Sequence, residues 1–118
     1  MATVETIGNP KGNIHTDENF KTFTRGVKAY AGGIPEFTLL HYNEVTGKYD
    51  KAVLTGGSET TADALLKFAV ENNGTEGVVL YTGGIRASLI AGYVALTDAE
   101  KFRIVGELAD KKVIVGDL

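Results

Sequence analysis

Val78-Val79-Leu80-Tyr81-Thr82-Gly83-Gly84 is the stretch on which the fold turns. Its first half is β-branched and apolar, the composition of a strand, and its second half breaks on a glycine pair. The pair reads as a tight turn between strands; phosphate-loop spacing, with a Lys-Ser or Lys-Thr after the glycines, is absent. Gly83 and Gly84 are therefore candidates for a structural turn. Downstream, Ile85 to Leu96 is apolar apart from Arg86, Ser88 and small residues. Thr97 and Glu100 then stand at capping-box spacing, predicting a helix from Asp98 to about Ala109. Its inward stripe is expected to be Phe102, Val105, Leu108 and Ala109, with Lys111-Lys112 past its C-terminus, where the helix dipole favours cations. Val113-Ile114-Val115 closes the chain as a last strand.

Upstream, Phe37-Thr38-Leu39-Leu40-His41-Tyr42 is rich in strand formers, Asn43 to Gly47 supplies turn chemistry, and Lys48 to Leu54 returns with Tyr49, Val53 and Leu54. This predicts a β-hairpin. Thr55 to Thr60 reads as a loop. Ala62 to Val70 is ambiguous: Thr61 fits a helix cap ahead of Leu65, Leu66, Ala69 and Val70, so local rules favour a helix, yet so short a run cannot be assigned by period.

The first thirty residues differ. Thr6 to Arg25 mixes glycine, proline, asparagine and threonine with scattered Ile7, Ile14, Phe20 and Phe23, and neither structural period persists. We read residues 1–31 as an extended, flexible N-terminal arm and residues 32–118 as the body, with Gly32-Gly33 as the hinge. Such an arm recovers little of the backbone entropy that ordering it would cost, so the body is expected to fold without it. Phe20, Phe23 and Tyr30 have two open readings, aromatic anchors for docking or residues that fold back on the body.

Composition bounds the rest. A chain of 118 residues with 43% hydrophobic and 23% charged content makes one domain with a modest core. Fifteen glycines against two prolines suit an all-β turn pattern better than a helical bundle. No cysteine excludes a disulfide framework, a thiolate metal site and a cysteine nucleophile. Residues 1–28 carry +1 and the remainder −4, within a total of −3, which disfavours nucleic acid as a partner. No stretch approaches the roughly 18 apolar residues of a membrane span, and the first residues lack a signal-peptide layout, so a cytoplasmic origin and no membrane partner are expected.

Catalytic and metal chemistry find little support. His15 and His41 lack metal-ligand spacing. Ser58 in Gly56-Gly57-Ser58-Glu59-Thr60 lacks the glycine placement of a nucleophile elbow and reads as a turn residue. Asn73-Gly74-Thr75 matches a glycosylation triplet but is more simply a turn. Asp63, Glu71, Glu76, Asp98, Glu100, Glu107 and Asp110 read as solvated charge. No cofactor, no metal and no enzyme activity are expected.

Gly33-Ile34-Pro35-Glu36-Phe37-Thr38-Leu39-Leu40 with the Thr46-Gly47-Lys48 turn resembles the opening strands of the head decoration, or capsid-cementing, proteins of lambda-like tailed phages. Leu65 to Val70, Asn72 to Gly77 and Val78 to Gly84 are similar to their central strands. Leu96-Thr97-Asp98, Phe102, Leu108 and Val113-Ile114-Val115 are similar to their closing helix and strand. The likeness runs from about Gly32 to Val115, but the arm shares no motif and Ile85 stands where the family often has an aromatic or acidic residue.

The resemblance implies a mixed α/β, β-rich body: a small compact β-barrel or sheet with one short C-terminal helix and an extended N-terminal arm, and a strand within Ala62 to Val70. It implies a virion protein on the capsid exterior, made in the bacterial host cytoplasm. Such a protein forms a homotrimer at three-fold positions, binds the major capsid protein and steadies the expanded shell against DNA pressure. Ile14, His15, Phe20, Phe23 and Tyr30 become candidate capsid-binding residues of the arm. The alternatives are a small β-rich hydrolase using Ser58 or a carboxylate with His41, and a trimeric tail or adhesin module.

Overall fold

A computed structural model describes residues 21–116. Strands β1 (Lys21–Gly26), β2 (Leu39–Asn43), β3 (Lys48–Lys51), β4 (Ala64–Leu66) and β5 (Glu76–Arg86) precede a short 3-10 turn, Ala87–Leu89. Helix α1 (Asp98–Asp110) and β6 (Val113–Gly116) follow. The strands form one sheet in the antiparallel order β1-β5-β4-β2-β3, and β6 joins the far half of β5 in parallel. The sheet curls until its margins touch: Val27, just past β1, bridges Tyr49 of β3, and the Lys28 N–H donates to the Tyr49 carbonyl at 2.9 Å. The fold is thus the mixed, β-rich domain with a single described helix that the sequence predicts.

Successive residues of a strand point to opposite faces, and the central strands are apolar at successive positions, so each sheet face builds its own core. Leu39, Leu65 and Leu80 pack on one side with Ile104 and Leu108 of α1, Val113 of β6, and Ile90 and Tyr93 of the connecting segment. Leu40, Leu66 and Val79 pack on the other, inside the curl, with Val27, Ile34, Tyr49 and Val70. The helical reading of Ala62 to Val70 fails for this reason. Leu65 and Leu66 serve opposite faces, as a strand demands, and Val70 then bridges Ile34.

The hairpin is β2 and β3, closed by the Asn43–Lys48 pair. Asn43 Oδ1 accepts the Val45 and Thr46 N–H groups at 2.9 and 3.3 Å, and Gly47 takes the left-handed conformation (φ +74°) that ends the turn. The capping box of α1 is present in both directions: Glu100 N–H donates to Thr97 Oγ1 at 3.3 Å and Thr97 N–H to Glu100 Oε1 at 2.9 Å. The buried stripe of the helix is Ile104 and Leu108, one turn apart, with Val105 half-buried beside them. Phe102, expected inward, lies two residues before Ile104, about 200° around the helix, and is 74% exposed. Ala109 is exposed as well.

Three further expectations are corrected. Residues 21–31 are not an arm: β1 pairs with β5 from Lys21–Thr82 to Gly26–Glu76, and Val27 is completely buried. The polar composition of this stretch hid a strand whose register is supplied by β5 rather than by its own alternation. Gly32-Gly33 is a pinned corner and not a hinge, since Gly32 N–H donates to Asn72 Oδ1 and a Cβ on Gly33 would lie 2.0 Å from the Val70 carbonyl oxygen. Gly83-Gly84 is no turn between strands either. Both lie inside β5, where the strand leaves β1 and β4 and takes up β6: Thr82 is the last residue paired with β1, and Gly83 pairs with Val113. Gly83 has φ +133°, a conformation side chains disfavour, whereas a Cβ on Gly84 would make only ordinary contact, 3.6 Å from the Ile114 carbonyl oxygen.

Candidate functional site

Residues 1–31 are the predicted binding element, and the described part, residues 21–31, begins with β1. Every residue from Lys21 to Arg25 is exposed, so alternate side chains on both faces of the strand reach solvent. Phe23, 48% exposed, pairs across to Val79 and lies under the Arg25 guanidinium, 5.0 Å from its ring centroid. A cation over an aromatic face holds the ring in place without burying it. Of the other arm residues, Ile14, His15 and Phe20 lie outside the described residues. Tyr30 is not part of an exposed arm. It is half-buried against the inner core, its hydroxyl oxygen accepts the Lys51 N–H at 2.9 Å, and its carbonyl accepts the N–H groups of Gly33 and Asn73. Lys28 and Lys51 hold their ammonium groups 5.4 and 4.6 Å from its ring centroid. Tyr30 seals the margin of the curled sheet beside β3.

His41, on β2, lines an open cleft of about 960 Å³ with Tyr42, Asp63, Thr82 and Lys111. Its Nδ1 lies 3.0 Å from the Thr61 carbonyl oxygen and 3.1 Å from Asp63 Oδ2. Both neighbours only accept, so Nδ1 carries the hydrogen and, in the neutral ring, Nε2 keeps a lone pair. Asp63 also accepts the Tyr42 N–H at 2.8 Å and meets Lys111 Nζ at 3.5 Å, joining β2, the approach to β4 and the end of α1. An oriented imidazole is half of an acid–base nucleophile system. The lining holds no serine or cysteine to complete it; its hydroxyls belong to threonines and tyrosines, and Ser58 is exposed on its loop outside the cleft. Among the described residues no three histidine, aspartate or glutamate side chains gather as a metal site would require.

Two carboxylates read as solvated are structural instead. Asp63 is one, and Glu107 is the other: it accepts from Arg103 Nη1 at 2.9 Å and from the Ala62 N–H at 2.9 Å. Arg103 further donates to the carbonyls of Thr60 and Leu54 at 3.4 Å, so one i,i+4 pair on α1 ties down the loop from Leu54 to Ala62. The spacing of Arg103 and Glu107 was visible in the sequence, but their backbone partners, more than forty residues away, were not. Within that loop, the backbone N–H groups of Glu59 and Gly57 hold the Glu59 carboxyl below the usual carboxylate range, with a smaller contribution from Arg103.

A third surface was not foreseen. Between α1 and the segment after β5 runs an apolar groove of about 500 Å³ whose walls include Ala87, Tyr93, Val94, Phe102 and Val105. Tyr93 forms the floor; burial, and then the charge of Asp98, push its hydroxyl above the ordinary tyrosine value. Lys101 lies 5.6 Å from its ring centroid. Val94 and Phe102 stand 71% and 74% exposed at the rim. Compared with known proteins, the chain matches no family model and no curated sequence.

Proposed function

We propose that this protein is a virion structural protein of a tailed phage that binds the outside of the expanded capsid, contacts the major capsid protein as a homotrimer at three-fold positions, and performs no chemistry. The observation that carries the reading is β1, at the margin of the sheet among the described strands, exposed at every residue from Lys21 to Arg25, with the Phe23 ring 48% exposed under Arg25. Extended segments bind by adding main-chain hydrogen bonds to an exposed sheet edge, with alternate side chains supplying selectivity. The resemblance over Gly32 to Val115 supports the same reading. A protein that binds only the expanded lattice stabilises it by mass action, by about 2.7 kcal/mol at a free concentration one hundred times Kd. Three linked contacts raise that further through effective concentration.

Co-sedimentation with expanded capsids tests the proposal. The wild-type chain is expected to pellet with shells and to protect packaged DNA from nuclease on heating. Phe20→Ala with Phe23→Ala is expected to abolish pelleting while the circular dichroism spectrum is unchanged. Equal survival of bare and decorated shells would remove the cementing function. A second reading, a small hydrolase, draws on the His41–Asp63 pair; turnover of a chromogenic ester that His41→Ala abolishes would favour it.

A further inference from the structure

We infer that the groove between α1 and the segment after β5 is the face through which copies of this chain meet one another. The inference deepens the homotrimer of the proposed function and rests on it for its setting. Its grounds are separate. Phe102, 74% exposed on α1, is unused by either core, and Val94 across the groove is 71% exposed. One turn after Phe102, on the same face, the helix carries Gly106, the poorest interior helix residue apart from proline. Nothing lies within 4 Å of where its Cβ would be, so the fold itself does not require a glycine there.

A knob and a hollow side by side let each copy offer its ring to one neighbour and its bare backbone to the other, the head-to-tail pattern by which three copies close a ring. The aromatic ring of one copy has a seat against the bare backbone at Gly106 of the next, and an aromatic anchor seated in a pocket is what dominates stable interfaces. The charges agree. Asp98 and Lys101 both line the groove, so a facing copy presents each with its opposite and leaves no unpaired sign. A shell protein or other foreign partner would need only one of the two shapes; a second copy accounts for both.

Sedimentation equilibrium of the full chain over a concentration ladder tests this apart from any capsid. Wild-type mass is expected to rise above the monomer with concentration. Phe102→Glu is expected to weaken association at least tenfold with an unchanged melting temperature, because the side chain is already solvated. Gly106→Gln is expected to raise the melting temperature measured at monomeric concentration yet weaken association at least tenfold, a split that a purely structural glycine would not produce. Val45→Glu, at the hairpin tip, is the control and should associate as wild type. A monomer at every concentration would overturn the inference, as would wild-type association by Phe102→Glu or by Gly106→Gln. If the monomer persists and Phe102→Glu loses capsid pelleting, the face belongs to the shell protein instead. If association fails as expected in the variants but capsids bind none of the chains, this contact stands and the shell reading falls.

Discussion

The two cores of this small domain are closed in different ways. The inner one, within the curl, is sealed largely by backbone: Val27 bridges Tyr49, Ile34 bridges Val70, and Tyr30 holds the remaining margin with its carbonyl and hydroxyl. The outer one is covered by α1, which reaches it through side chains, and by a connecting segment with little regular structure that is tied by one main-chain bond, Ala91 N–H to the Phe37 carbonyl. Backbone closure leaves no choice of residue at the corner where it happens. Side-chain closure leaves latitude, and on the far side of that cover Phe102 and Val94 remain in water. Among the described residues, the inner core leaves no large apolar side chain of its own in water; the cover of the outer one does.

The sharpest way to break the comparison is at Gly33. Its φ of +79° disfavours any side chain, and a Cβ there would collide with the Val70 carbonyl, so Gly33→Val should cost about 3 kcal/mol or more in urea unfolding. Gly32→Ala, with φ +84° but open space around it, should cost only about 1 kcal/mol. Next, Leu66→Ala in the inner core and Leu108→Ala in the outer are matched truncations of fully buried leucines. Both should destabilise by about 2–5 kcal/mol, with Leu66→Ala the larger, because a helix can settle toward the gap and a strand hydrogen-bonded on both sides cannot. Equal losses would erase the proposed difference in rigidity.

A smaller effect is expected at the start of the cover. Thr97→Ala removes the acceptor for the Glu100 N–H and should cost about 1 kcal/mol, read as a lowered midpoint with an unchanged denaturant slope. The smallest should come from removing residues 1–20 while retaining Lys21 onward, which leaves β1, the bridges and both cores as described. Removing residues 1–24 instead takes most of β1 and should lower the melting temperature clearly, contrary to what an independent arm would predict.

What was legible in the sequence was local. The hairpin announces itself through Asn43 and Gly47, and α1 through Thr97 and Glu100, because the residues that cap and turn the chain are the ones that satisfy its nearest backbone groups. What was hidden depends on contacts remote in sequence. Leu65 and Leu66 fit a helix until β2 and β5 claim them for opposite faces. Lys21 to Gly26 has no apolar alternation because neither of its faces is covered, and only the register with β5 makes it a strand. Gly83 gave a turn signal for a true constraint, an unusual φ, at a place where the strand changes neighbours rather than direction. Of the candidate binding residues, Phe23 is 48% exposed and Tyr30 packs against the inner core; the apolar groove has no signal in the sequence, where Phe102 reads as part of the inward stripe that Ile104 and Leu108 occupy.

The pairing of β1 with β5 has a mechanical side. Inter-strand bonds in an antiparallel ladder run perpendicular to the strands. Tension applied along the axis of β1 from residue 20 therefore shears the row from Thr22 to Gly26 together, instead of peeling it bond by bond. The strand being sheared against is the longest of the described strands, anchored on its other side by β4 and farther along by β6. A pull on β1 is thus delivered to β5, whose Leu80 and Val79 belong one to each core.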